Sequence, residues 1–119
     1  MHELPVTQSL VEQLQAEVAR LGVAGRVTSV HLKLGALTTF VPDALTFYFE
    51  ALTKGTELEG VELIIEEIPI VGKCGRCGAE LTIETPPFLC GACGSPDLEI
   101  VSGRELLIDS LEVKDDGEG

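Results

Sequence analysis

Two short motifs, CGRCG at residues 74–78 and CGACG at residues 90–94, constrain this chain more than any other feature of it. They set Cys74, Cys77, Cys90 and Cys93 at the spacing C-x2-C-x12-C-x2-C. In each motif the turn lets backbone amides point at the thiolates, and the closing glycine permits a positive φ. Two such knuckles facing each other supply four sulfurs in tetrahedral array. Thiolate is a soft donor, and four of them close the coordination shell of zinc, leaving no position for a substrate water. The expectation is therefore a structural zinc site in a small inserted subdomain of the zinc-knuckle or rubredoxin type. A thioredoxin-type redox CxxC is the main rival, but it needs one motif at a helix N-terminus rather than two glycine-flanked knuckles. Iron is left open by the spacing.

That reading depends on compartment. The first ten residues, MHELPVTQSL, lack the basic and continuous apolar regions of a secretory signal, and no run of about 18 apolar residues suggests a membrane span. A cytoplasmic protein is expected, where thiols stay reduced and paired CxxC motifs argue for metal rather than disulfides. Acidic residues outnumber basic ones 20 to 8, for a formal charge of −12. Such a balance repels nucleic acid and anionic lipid, so neither is an expected partner. Lys73 and Arg76 are the basic residues near the first knuckle, too little for a nucleic-acid surface.

The rest of the chain reads as a small α+β domain. Val6, Leu10, Val11, Leu14, Val18 and Leu21 recur at helical spacing over residues 5–21, with Pro5 in the first turn and Gly22 past the end. Residues 26–34 alternate as a strand, with Val30, Leu32 and Leu34 on one face and His31 and Lys33 on the other. A second helix is predicted over residues 42–53, opened by Pro42. The run Leu63-Ile64-Ile65 predicts a strand buried on both faces, hence central in its sheet. Residues 70–97 change texture to Gly, Pro and Cys, with Pro86 and Pro87 stiffening the link between the knuckles. Two short strands flank Ser102-Gly103, and KDDGEG reads as a charged tail. The expected layout is a discontinuous mixed-sheet domain, residues 1–69 and 101–119, around a four-cysteine domain, residues 70–100. The final strand returns to the first sheet. Such a layout leaves monomer or homodimer open.

One further segment has metal chemistry. A bulky His2 predicts that Met1 is retained, and an imidazole next to deprotonated backbone amides offers a planar, nitrogen-rich set suited to Ni(II) or Cu(II). Glu3 adds a carboxylate, as ligand or as an acceptor behind the ligand. By contrast, His31 reads as a solvated strand residue, Glu62 and Glu66 as a solvent face, and Asp115, Asp116 and Glu118 as a solvated tail. No Ser/His/Asp grouping, phosphate loop or dinucleotide fingerprint is present, so catalysis is not expected.

Taken together, the opening MHE, Gln8-Ser9-Leu10, Leu34-Gly35, Pro42-x-Ala44-Leu45-x-Phe47, Thr53-Lys54-Gly55-Thr56, the two CxxCG pairs and Gly103-x-Glu105-Leu106 resemble the HypA/HybF family over nearly the whole chain. Its members are nickel-insertion accessory proteins of NiFe-hydrogenase maturation. The resemblance implies a nickel metallochaperone, not an enzyme. His2 would be the nickel imidazole ligand, Glu3 part of the same site or its shell, and Cys74, Cys77, Cys90 and Cys93 the zinc ligands. It implies as partners a HypB-type GTPase, the hydrogenase large-subunit precursor and, for some members, urease maturation factors. Some relatives carry an acidic residue directly before the position of Pro42; here Val41 stands there, and Asp43 is the nearest carboxylate. Two other classes compete with this one: a zinc-ribbon interaction module in which His2 is incidental, and a zinc-bearing nucleic-acid adaptor, which the charge disfavours.

Overall fold

The computed structural model describes residues 2–84 and 88–114. Met1, Pro86 and Pro87, and the acidic tail from Asp115 lie outside the described residues. The chain is α+β, as its pattern predicts. Helix α1 (Glu3–Leu21) leads into strand β1 (Val27–Gly35), a 3-10 turn (Ala36–Thr38) and helix α2 (Pro42–Thr53). Strands β2 (Glu62–Ile68), β3 (Ile70–Cys74), β4 (Glu80–Ile83), β5 (Leu98–Ser102) and β6 (Leu106–Val113) follow. They form two three-stranded sheets, β2-β1-β6 and β4-β3-β5. No helix among the described residues is long and apolar enough to cross a membrane.

Backbone contacts divide the chain into two units, one of residues 1–32, 40–66 and 107 onward, the other of residues 33–39 and 67–106. The second unit is thus wider than the span 70–100 expected from composition. In the first, α1 packs on α2, and Val11, Leu14, Val18, Val27, Val30, Phe49, Leu58 and Val61 form the core. Burying each large side chain of this set contributes roughly 1.5–3 kcal/mol. Gly22 ends α1 in the left-handed region at φ 70°, where the Gly22 and Val23 amides donate to the carbonyls of Ala19 and Val18.

The buried stripe of α1 holds Leu10, Val11, Leu14 and Val18 as its apolar residues suggest, but differs at both ends. Glu3, Thr7, Leu10, Val11, Leu14 and Val18 are buried, whereas Leu21 is half exposed. The stripe therefore reaches about one turn further toward the N-terminus than hydrophobicity marks, and the helix begins at Glu3 rather than Pro5.

Strand β2 is also placed differently from its expected central position. It lies at the edge of its sheet, and Leu63, Ile64 and Ile65 are only partly buried. β1 takes the centre because β6 returns to its free side: the Lys114 amide donates to the Arg26 carbonyl at 2.8 Å and the Thr28 hydroxyl to the Glu112 carbonyl at 3.1 Å. A three-residue apolar run on a strand with one neighbour is covered on fewer sides than the same run between two.

The second unit has its own sheet, built on very short strands. β3 pairs antiparallel with β4, from Ile70 opposite Ile83 to Lys73 opposite Glu80, and on its other side with β5, from Val71 opposite Ser102 to Cys74 opposite Leu98. Pairing with β3 draws β5 into this unit. Close by, the Leu37 amide donates to the Gly103 carbonyl and the Gly35 amide to the Glu105 carbonyl, at 2.8 and 2.6 Å. Gly35 is required there: a Cβ on it would stand 2.1 Å from the Gly103 oxygen.

Candidate metal centres

The two cysteine knuckles have the same backbone construction. In the first, the Cys74 amide donates to the Ala79 carbonyl at 2.9 Å and the Gly78 amide returns to the Cys74 carbonyl at 2.9 Å. In the second, Cys90 donates to Ser95 at 2.8 Å and Gly94 to Cys90 at 2.7 Å. Gly78 and Gly94 take φ of 77° and 78°, a region in which a side chain would be strained. β3 delivers Cys74 at its last residue, and β5 begins just beyond the second knuckle, so one sheet fixes the base of both loops.

All four Sγ atoms lie within 4.8 Å of one another, and none is in a disulfide. The Cys74–Cys93 and Cys77–Cys90 contacts are each 3.6 Å. Four sulfurs about 2.3 Å from a central ion stand roughly 3.8 Å apart in a tetrahedron, so the cluster fits a thiolate-bound ion without rearrangement. Among the described residues this is the group in which three or more His, Cys, Asp or Glu ligand atoms converge.

The electrostatics of the bare cluster alternate along the chain. The backbone amides of Cys77 and Arg76, both 3.4 Å from the Cys74 sulfur, hold its thiol down at about 6. The Cys93 and Ala92 amides likewise lower Cys90. The second cysteine of each knuckle moves the other way. At Cys93 the Ser95 amide favours the thiolate, but the neighbouring Cys74 and Cys90 sulfurs, with some desolvation by the surrounding chain, outweigh it and push the thiol up to about 12. Cys77 is raised as well: the Ala79 amide works against the shift, while the Cys90 and Cys74 sulfurs produce it. Four thiolates this close repel one another, and a bound cation removes that repulsion. The donor set thus asks for a thiophilic divalent ion.

The N-terminal segment is built differently. His2 is the cap residue of α1 and is exposed, with no side-chain capping bond. Glu3, the first helical residue, is only 4% exposed. Its Oε2 accepts the Val41 amide at 2.9 Å, and its backbone carbonyl accepts the buried Thr7 hydroxyl. Val41 is the cap of α2, so one carboxylate ties the heads of two helices together. The acidic Glu3 also lies in the first turn of α1, where the helix dipole favours it. Sequence reasoning places Glu3 beside His2, as a ligand or as an acceptor behind it, and does not foresee its burial. Its burial was readable only as the i, i+4 continuation of Thr7 and Leu10, a signal that its charge conceals.

Neither His31 nor the acidic residues of β2 join either site. His31 Nε2 stands 3.6 Å from Glu112 Oε2, and the other oxygen of that carboxylate accepts the buried Ser29 hydroxyl. Glu62 and Glu66 are exposed, as expected of a solvent face, and so is Glu67. Asp43, in the first turn of α2, is exposed too.

Comparison with known proteins bears on the whole chain. Residues 1–113 match the family described as "Hydrogenase/urease nickel incorporation, metallochaperone, hypA". A protein of Nostoc sp. named hydrogenase maturation factor HypA is 43% identical over 115 residues, covering 97% of both chains. One of the same name from Chloroflexus aurantiacus is 45% identical over 113 residues, covering 94% of this chain and 98% of its own. Among solved structures, a HypA solution structure aligns with a TM-score of 0.70 at 21% identity, covering 96% of this chain and 97% of that one. The nickel metallochaperone HypA from Helicobacter pylori aligns at 0.65, also at 21% identity, covering 95% and 97%. These two speak for the fold.

Proposed function

Because the chain belongs to the HypA family of hydrogenase and urease nickel-incorporation metallochaperones, we propose that His2 carries Ni(II) and that the four cysteines hold a separate structural zinc ion. The observation that carries the nickel assignment is the exposed imidazole of His2 at the head of α1, next to a Glu3 that is pinned in place. An exposed imidazole with backbone amide nitrogens beside it forms the planar set that Ni(II) prefers. Glu3 serves this site from behind. With one oxygen committed to the Val41 amide, it fixes the first turn from which His2 projects.

The cargo is delivered to the large-subunit precursor of a NiFe-hydrogenase, with a HypB-type GTPase as partner, or passed to urease maturation factors. The work is transfer, not catalysis, and the setting is cytoplasmic. Zinc, held by Cys74, Cys77, Cys90 and Cys93, fixes the loops of the β4-β3-β5 sheet and supplies no reactive position.

The test is Ni(II) titration by calorimetry and equilibrium dialysis on zinc-loaded, untagged protein. One nickel per chain that is lost in His2→Ala, with zinc content unchanged, is the expected result. Unchanged nickel stoichiometry in His2→Ala would sink the assignment and leave a zinc-ribbon interaction module.

A further inference from the structure

The four sulfurs of the cysteine centre are not equivalent. Cys74 and Cys90 are 1% and 2% exposed, whereas Cys77 and Cys93 open to solvent. The open side is a built recess rather than a convex surface. A cavity of about 440 Å³ is lined by Arg76, Cys77, Cys93, Gly94, Ser95 and Pro96, so small reagents reach the second cysteine of each knuckle with a guanidinium in the wall. Both 3.6 Å sulfur contacts pair one open cysteine with one buried cysteine of the other knuckle, Cys93 with Cys74 and Cys77 with Cys90.

We propose that the Cys77–Cys93 face is a site of electrophilic and hydroperoxide modification, and that oxidation there closes disulfides across the knuckles, Cys74–Cys93 and Cys77–Cys90. The proposal rests on the reading of this centre as a metal site. The chemistry follows from access and from the partner each open sulfur has. Metal ligation requires Cys93 as the thiolate, and that exposed thiolate attacks one oxygen of a hydroperoxide; the O–O bond breaks, and the leaving oxygen takes a proton to become water or alcohol. Cys93 is then a sulfenic acid. The Cys74 thiolate attacks its sulfur, the S–O bond breaks, and the departing hydroxide takes a proton to become water. Two electrons pass from the two sulfurs to one peroxide for each disulfide closed. Cys77 and Cys90 react in the same way. A divalent ion loses thiolate charge at each step, so oxidation and metal release are coupled. Within a knuckle the paired sulfurs receive amide bonds from their own turn, as Cys74 does from Arg76 and Cys77. Cross-knuckle closure leaves those turns intact.

The experiment uses the whole untagged chain, with bound zinc counted first by plasma mass spectrometry. Timed iodoacetamide labelling and peptide mapping should show Cys77 and Cys93 modified roughly tenfold or more ahead of Cys74 and Cys90. Hydrogen peroxide, followed with a chromogenic zinc indicator and a non-reducing peptide map, should give Cys74–Cys93 and Cys77–Cys90 in step with zinc release. Equal labelling of all four cysteines in zinc-loaded protein overturns the proposal alone. So do disulfides within a motif, Cys74–Cys77 or Cys90–Cys93, and so does zinc release without either cross-knuckle bond. A preparation that binds no zinc overturns both the metal assignment and this proposal.

Discussion

On the proposed assignment, the cysteine centre and the head of α1 represent opposite ways of presenting metal ligands. The first converges four like donors from two identical turns, two of them buried and held by backbone amides. The second offers one exposed imidazole, while one oxygen of the carboxylate beside it accepts the Val41 amide. A closed set of four ligands retains its ion; a set with one fixed side chain and open surroundings can pass its ion on. These sites differ in completeness as well as in donor chemistry, and both are supported from behind by hydrogen bonds.

The largest test of this contrast is Cys74→Ser. It removes a buried sulfur that two amides address, so zinc affinity should fall by more than ~100-fold, and the β4-β3-β5 amides should lose hydrogen-exchange protection. Retained protection in zinc-free Cys74→Ser would mean that the sheet needs no metal, and the contrast between a structural and a cargo ion would weaken.

Leu14→Ala comes next in size. Leu14 is 1% exposed in the core beneath α1, and its truncation should cost about 3 kcal/mol in urea unfolding. Zinc content, measured on the folded variant, should not change, because none of the four cysteines belongs to that core. A substoichiometric zinc content would show that retention at the cysteines depends on packing elsewhere.

These two sites were not equally legible in the sequence. The cysteine centre could be read almost completely, because its ligands fall in two adjacent pairs and the turns that hold them are coded by the same few residues. α1, β1 and α2 followed from periodicity over enough residues to repeat the pattern. Of the β4-β3-β5 sheet only β5 could be read, as the strand before Ser102-Gly103: β3 and β4, of four or five residues in a Gly-rich segment, show too few alternations, and the pairing of β3 with β5 joins residues far apart in sequence. Glu3 was hidden for a different reason. Its carboxylate accepts an amide supplied by Val41, 38 positions away, and composition says nothing of such a bond. The edge position of β2 was misread from a three-residue apolar run, because hydrophobicity reports how much is covered and not which strand lies alongside.

Glu3→Ala tests the support behind His2. It leaves the imidazole in place but frees the first turn of α1 from the Val41 amide, so nickel affinity should weaken roughly 10- to 100-fold without loss of stoichiometry. Glu3→Gln, which keeps an acceptor for the Val41 amide, should recover much of it. If Glu3→Gln is as damaged as Glu3→Ala, the carboxylate acts as a ligand or through its charge, and the head of α1 resembles the cysteine centre more closely than the geometry suggests.

The smallest effect concerns a cluster that resembles a metal site in composition but binds its own side chains instead. The Ser29 hydroxyl, and after it the nearby His31, hold the Glu112 carboxyl below its ordinary value. A carboxylate whose folded pKa is depressed contributes stability that is fully present above the unfolded value, near 4.3 for glutamate, and is lost as pH falls through the lower folded value. Glu112→Gln should therefore be slightly less stable than the parent at pH 7, and the gap should close as the pH is taken below about 4. Urea midpoints of the two proteins at both pH values measure it. A gap that is unchanged in acid would mean that the Ser29–Glu112 contact stabilises through shape alone. If added Ni(II) or Zn(II) raised the pH 7 midpoint of the parent but not of Glu112→Gln, the cluster would be a third ligand set, and the contrast between one closed and one open site would no longer describe this chain.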